Sequence, residues 1–221
     1  MSNKNFSDHY DSNYFVWQKS IGLFSGKACS FKFCSSISSD DTVLDFGCGG
    51  GYLLKNLVCK KKIGIEPNYS AHEETKKNKI EIFDSPLEVL KAYGEESIDL
   101  IISNNALEHT LDPLNELKNL FPLLKRGGKI HFVVPCDSHK FKWKKNDINN
   151  HLYSWSPMNL GNLFTEAGYK VIKVQPYIHK WPPKYQLIQK IFGWNIFNII
   201  CRIYGRLERS WFQVEIIASK Q

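Results

Sequence analysis

Asp45 stands two residues before Gly47 in VLDFGCGGGYLL (43–54), and Glu66 stands 19 residues after that glycine. Glycines at 47, 49 and 51 let a backbone approach a ligand with no Cβ in the way. A carboxylate about 20 residues beyond such a turn, closing a second strand, can accept both hydroxyls of a ribose. Asp45 adds negative charge near a ligand that is not a phosphate. Together the two carboxylates suit a ligand with a ribose and a cationic group. The dinucleotide spacing GxGxxG fails because Tyr52 takes its last glycine, and no GxxxxGK(S/T) phosphate loop occurs. Taken alone, the glycines also read as a flexible surface turn.

Two histidines could take a proton from a reacting group. His109 lies in LEHTLDP (107–113) and His151 in NDINNHLYSWSPMNL (146–160). Glu108–His109 also reads as a pair that caps or packs a short helix. His151 belongs to a long connection, 136–155, and long connections often carry function. Lys140, Lys142, Lys144 and Lys145 alternate there with Phe141, Trp143, Tyr153 and Trp155. One reading is a solvated loop pinned by aromatics. The other is a lip that favours an anionic acceptor, with Asp147, Asn150, Tyr153 and His151 on its inner wall.

Alternating elements must position these groups. Strands are expected at 42–46, 62–67, 79–83, 97–104 and 128–135, and helices at 51–58, 69–78, 112–124 and 157–167. Pro113 and Pro157 open two of these helices at their first turn, Ser156 caps one of them, and Gly168 ends it. The run 97–104 is nearly all apolar, as a strand buried on both faces should be. Alternation at this spacing implies an α/β fold with a parallel sheet, and ligands then bind beyond the carboxyl ends of the strands, at a helix N-terminus. Farther on, strand 169–178, a helix ending near 207 and strand 210–220 complete the sheet. That last helix is apolar nearly all round, with Arg202, Arg206 and Arg209 near its end. Burial under the sheet or in a dimer is the favoured account, and contact with an anionic membrane surface the second. A helix is expected over 13–26, where Tyr14 and Trp17 are candidate acceptor contacts.

The chain has 221 residues, 43% apolar and 23% charged, which fits one soluble globular domain. We divide it into a helical cap (1–40), a cofactor-binding core (41–135) and an acceptor loop with the sheet's completion (136–221). Net charge is +7, from 29 Lys and Arg against 22 Asp and Glu. That excess suits an acidic partner or a lysine-rich surface. Six cysteines form no CxxC pair and no zinc spacing, so reduced thiols in a cytoplasmic compartment are expected. Neither a leader segment nor a transmembrane run is expected.

VLDFGCGGGYLL, IGIEPN (63–68), DLIISNNALEHTLDPL (99–114) and LLKRGGKIHFVVP (123–135), in that order, resemble the class I S-adenosylmethionine-dependent methyltransferases. The resemblance covers roughly residues 40–175, and is nearest to the branch of small-molecule and glycan-cluster O-methyltransferases. It implies a Rossmann-like sheet of seven strands in the order 3-2-1-4-5-7-6, strand seven antiparallel, with helices on both faces. It implies S-adenosyl-L-methionine as cofactor. Asp45, Gly47, Cys48, Gly49 and Gly51 would hold its methionine part, and Glu66, followed by Pro67, its ribose. Asp84 and Ser85 would flank the adenine, and Asn104 and Asn105 the sulfonium. In the resembling ubiquinone-pathway enzymes, acids and a histidine after strand four hold a divalent metal. Asn105 stands where a further acid belongs, so no metal is expected. The reaction is an in-line displacement, and a hydroxyl acceptor must also lose a proton, to His151 or to His109.

The expected acceptor is a small or sugar-linked molecule carrying an anionic group, and the expected state is a monomer or homodimer. A nucleic-acid methyltransferase is the alternative, but SNNA (103–106) is not the (D/N)PP(Y/F) motif of base methylation. A non-catalytic protein that only binds the cofactor is the other, and the intact Asp45, Gly47, Gly49 and Glu66 argue against it.

Overall fold

The computed structural model describes residues 12–145 and 147–221, with side chains from Phe15 onward. Its seven strands form one sheet in the order β3-β2-β1-β4-β5-β7-β6. They are β1 (Thr42–Phe46), β2 (Lys61–Ile65), β3 (Glu81–Phe83), β4 (Ile98–Asn104), β5 (Leu124–Cys136), β6 (Lys170–Tyr177) and β7 (Phe212–Ser219). Pairing is parallel from β3 through β5, and β7 runs antiparallel between β5 and β6.

Strand periodicity splits the core into two layers. Leu44, Phe46, Ile101, Phe132 and Val134 face one layer, with Leu117, Leu120, Leu160 and Phe164 from the helices α5 (Pro113–Leu120) and α6 (Pro157–Glu166). Val43, Leu100, Ile102 and Val133 face the other, against Cys29, Phe33, Leu53 and Leu54. That second layer is closed by α1 (Ser12–Ser30) and the single turn α2 (Tyr52–Lys55). A further helix, α3 (Tyr69–Lys77), starts at the Asn68 cap, whose side chain accepts from Ser70 N.

Several bounds differ from expectation. An additional helix, α4 (Pro86–Tyr93), follows Ser85, with Pro86 in its first turn and Gly94 at its end. The helix expected over 51–58 is only α2, because Asn56 N–H already turns back to Leu53 O and Leu57 N–H to Leu54 O. The α5 helix stops at Leu120, and Leu123 N–H then closes a turn onto Leu120 O. The strand expected over 128–135 instead begins at Leu124 and runs through Gly127 and Gly128.

Within one chain the apolar helix before β7 is buried on one side only. That helix, α7 (Tyr185–Leu207), is kinked at Gly193, whose φ of 72° is non-helical. Its side toward α1 buries Phe197, Cys201 and Gly205, with Phe24 of α1 wedged among Trp181, Tyr185, Trp194 and Phe197. Ile191, Ile199, Ile203 and Leu207 remain exposed, the last at 80%. Eleven Leu, Ile, Phe and Trp side chains on one helix exceed what a single packed face can cover. No described helix is long and apolar enough to cross a membrane.

Candidate active site

The carboxyl ends of β1, β2 and β4 meet at one cleft. Leaving β1, the chain turns through Gly47 and Gly49, both at positive φ (74° and 52°). A Cβ on Gly47 would sit 2.3 Å from the Ala106 methyl, and one on Gly49 would run into the Gln18 amide at 2.8 Å. At Gly47 the Ala106 methyl and the positive φ both exclude a side chain; at Gly49 the Gln18 amide could move aside, so the positive φ makes the requirement. Since α2 is one turn long, its dipole contributes little, and the side chains carry the site.

Asp45 is 2% exposed, and its Oδ1 has no hydrogen-bond partner. Burial, then the charge of Glu66, pushes its pKa well above the carboxylate range. The side chain lines a small cavity of about 110 Å³ with Gly47, Cys48, Gly49 and Asn104, roofed by Gln18 and Gly22 of α1. A buried, unsatisfied carboxylate oxygen in a cavity suits a cationic ligand group. Cys48 is itself buried, and desolvation first, then Asp45 and Glu66, raises its thiol well above the usual value. Gly51, at φ 73°, immediately precedes α2 and lies outside the cavity lining.

Glu66 follows β2 and accepts from two backbone amides, Gly49 N at Oε2 and Asn68 N at Oε1, both at 2.9 Å. Its burial raises the pKa, and those two hydrogen bonds oppose the rise. The same side chain therefore locks the glycine turn to the start of α3. With Pro67, Asp84, Ser85, Asn105 and His109 it lines a wider cleft of about 350 Å³. Asp84 is tied to the Tyr69 hydroxyl, with His72 Nε2 at 3.6 Å. The two carboxylates, the glycine turn and a cleft of this size would accommodate S-adenosylmethionine.

The two histidines converge. Their rings lie 5.1 Å apart. His109 lines the wide cleft, and His151 Nδ1 donates to Asp137 Oδ2 at 2.9 Å. Backbone N–H groups of Leu152 and Tyr153 donate to Glu108 O, which pins the His151 segment to the turn after β4. Burial alone would lower the His151 pKa. The bond to Asp137 and the charges of Glu108, Asp137 and Asp147 outweigh it and hold the imidazole above its ordinary value. Beside it Glu108 is wholly buried, with neither carboxylate oxygen hydrogen-bonded. Desolvation pushes its pKa up to about 8. Glu108, His109 and His151 each bring one donor atom within 4.8 Å of the others. One carboxylate and two imidazoles could hold a divalent cation, though at neutral pH the cation would have to displace the Glu108 proton.

The remaining candidates lie farther out. Asn150 N donates to Asp147 Oδ2 at 3.3 Å on the exposed loop, and the Tyr153 hydroxyl donates to Leu111 O at 3.0 Å. Lys140, Lys142, Lys144 and Lys145 are all exposed, as are Phe141 and Trp143. Trp17 lies on α1 beside Gln18, and it is Gln18 that lines both cavities. The Tyr14 side chain lies outside the described residues. Gln18 and Asp137 escaped the sequence reading. Asp137 carried a weak signal, as the first acid after β5, but only the fold brings it to His151.

A family model described as a methyltransferase domain matches residues 27–174. A ubiquinone biosynthesis O-methyltransferase of Aliivibrio fischeri is 32% identical over 98 residues, 41% of this chain and 42% of that one. The chain thus spans less than half the length of such relatives. An S-adenosylmethionine-dependent methyltransferase from Archaeoglobus fulgidus superposes with a TM-score of 0.64 at 20% identity, covering 94% of this chain and 99% of that one. A chain from a methyltransferase–activator complex of Haloferax volcanii gives 0.67 at 16% identity, with 99% of each chain covered. At these identities the two structures speak for the fold alone.

Proposed function

Because the chain belongs to the S-adenosylmethionine-dependent methyltransferases, we propose that it methylates a hydroxyl oxygen of a small acceptor, with His151 as the general base. The Asp137–His151 hydrogen bond carries this reading. Asp137 fixes the tautomer with Nδ1 protonated, so Nε2 offers a lone pair. It also stabilises the imidazolium that forms once the acceptor proton arrives. Bound S-adenosylmethionine supplies a methyl group on a sulfonium, which a well-placed oxygen displaces in line. Asp45 holds the cationic amino group of the cofactor and Glu66 its ribose hydroxyls. His109 is the rival base. The O-methyltransferase name of the ubiquinone-pathway relatives supports oxygen as the nucleophile.

A screen of phenols, catechols, hydroxy acids and amines, followed by S-adenosylhomocysteine release, tests the reading. Turnover confined to amines would overturn it. The donor set at Glu108, His109 and His151 favours a second reading, a divalent cation that lowers the hydroxyl pKa in place of a protein base. Turnover abolished by chelator and restored by Mg²⁺ or Zn²⁺ would select it.

A further inference from the structure

Lys32 is 6% exposed. Its Nζ donates to Asn104 Oδ1 at 2.8 Å and to Gln213 Oε1 at 2.9 Å. Both acceptors are neutral amides, and the Tyr177 ring lies 5.5 Å away. Among the described residues Lys32 has no carboxylate partner, whereas Lys19, Lys61, Lys125, Lys173, Lys180 and Lys220 each have one. A buried ammonium without a counter-charge is costly, and two amides compensate it only in part.

This ammonium lines a third cavity, of about 380 Å³, that shares Asn104 with the glycine-turn cavity and Asn105 with the wide cleft. Gln213 Nε2 also donates to Asn105 Oδ1 at 2.7 Å, so one polar network joins Lys32 to both asparagines. The rest of the wall comes mainly from the segment after β6 and the start of β7. It includes Lys180, 4% exposed, which is bound to Glu208 and lies 4.9 Å from the Trp211 ring centroid. Glu208 is the one carboxylate in the lining, and Lys180 engages it. His179, 6% exposed, has an Nε2 without a partner. Burial first, then the charge of Lys32, depresses its pKa to about 3, so the ring is neutral.

We infer that this cavity is an oxyanion subsite, in which Lys32 receives a carboxylate or phosphate carried by the methyl acceptor. The assignment deepens the proposed O-methyl transfer and rests on it for the word acceptor. Two buried ammoniums face one carboxylate, beside the asparagines that end β4. Trp181 and Trp211 give the cavity flat walls for an aromatic or sugar ring. The exposed lysines at 140–145 cannot discriminate in this way, because water and salt screen them.

Calorimetry on the full chain saturated with S-adenosylhomocysteine tests the subsite directly, without turnover. The probes are benzoate, phenyl phosphate and neutral methyl benzoate. Both anions should bind the parent in preference to methyl benzoate, and Lys32→Met should weaken them by about tenfold or more, the scale of a hydrogen bond to a charged group. His151→Ala should bind them like the parent, which separates the subsite from the proposed base. Equal affinity of the parent for benzoate and methyl benzoate would overturn the inference, and needs no variant to fold. A second outcome would also overturn it. If Lys32→Met weakens S-adenosylhomocysteine but leaves 5′-methylthioadenosine unchanged, the anion held by Lys32 is the cofactor's own carboxylate.

Discussion

Asp137 Oδ2 and His151 Nδ1 face each other across 2.9 Å, although the two residues are 14 positions apart on an exposed loop. The contact turns an ordinary loop histidine into an oriented one. His151→Ala should lower kcat by roughly 10²–10⁴-fold, the usual contribution of a general base. Asp137→Asn should lower it less, because the imidazole stays in place but loses its charged partner. Affinity for S-adenosylhomocysteine should not move in either variant. Acceptors with more acidic hydroxyls should recover part of the His151→Ala loss. Normal turnover in both variants would sink the assignment, and a large loss in His109→Ala alone would transfer it.

The unpartnered Asp45 oxygen makes a two-sided prediction. Asp45→Asn replaces a buried carboxyl whose Oδ1 the empty protein leaves without a partner, so the melting temperature without ligand should not fall. Affinity for S-adenosylhomocysteine should drop by about 10- to 100-fold, the scale of a hydrogen bond to a charged group. Glu66→Ala should lower both quantities, because Glu66 also ties Gly49 to Asn68. Calorimetry and a thermal melt distinguish the two. Unchanged binding in Asp45→Asn would remove Asp45 from the cofactor site.

Acid stability should report on Glu215. Its pairing with His131, set against burial and helped by Lys173, holds the carboxyl down at about 2. The contacts are His131 Nε2 at 3.2 Å and Lys173 Nζ at 2.7 Å. A depressed folded-state pKa adds stability above the ordinary glutamate value and loses it as pH falls through the folded one. The window runs from about 4.5 to about 2, and the total is on the order of 3 kcal/mol. Denaturant titrations of the parent and Glu215→Gln should differ most at pH 6 and converge toward pH 2. A gap independent of pH would mean that packing, not charge, holds that corner.

The lysines of 140–145 should not bind nucleic acid tightly. All are exposed on one loop, and none flanks the Lys32 cavity. Duplex DNA and structured RNA should show no appreciable affinity at physiological salt. Tight binding that weakens steeply as salt rises would argue for a nucleic-acid acceptor instead.

Much of this was legible in the sequence because it is local. Asp45, the glycines and Glu66 fall within 22 consecutive residues, and strand periodicity with β-to-helix alternation pointed to a parallel sheet, whose strand order came only with the family resemblance. The helix α4 was missed although Ser85–Pro86 and Gly94 mark its ends, because its eight residues sit between two strong strand patterns. Other features depend on tertiary contact. Gln18 reaches the glycine turn only because α1 crosses it. Asp137 meets His151 where Glu108 O, Ser154 Oγ and Pro135 O tie the two ends of the loop together. Nor could periodicity reveal that α7 leaves Ile199 and Ile203 in solvent, since an all-round apolar helix reads as buried from either side.

The hydrogen bond between Lys32 and Gln213 links residues 181 positions apart. Asp45 and Glu66, by contrast, are encoded almost together. On a ribosome, the strands that cradle the cofactor are made long before β7 arrives, whereas Lys32 waits for 181 further residues before it finds Gln213. The pocket that would choose the acceptor is therefore the last part of the site that synthesis can complete. On the proposed roles, methyl donor recognition and acceptor choice would be adjacent in space but separated in the order of translation.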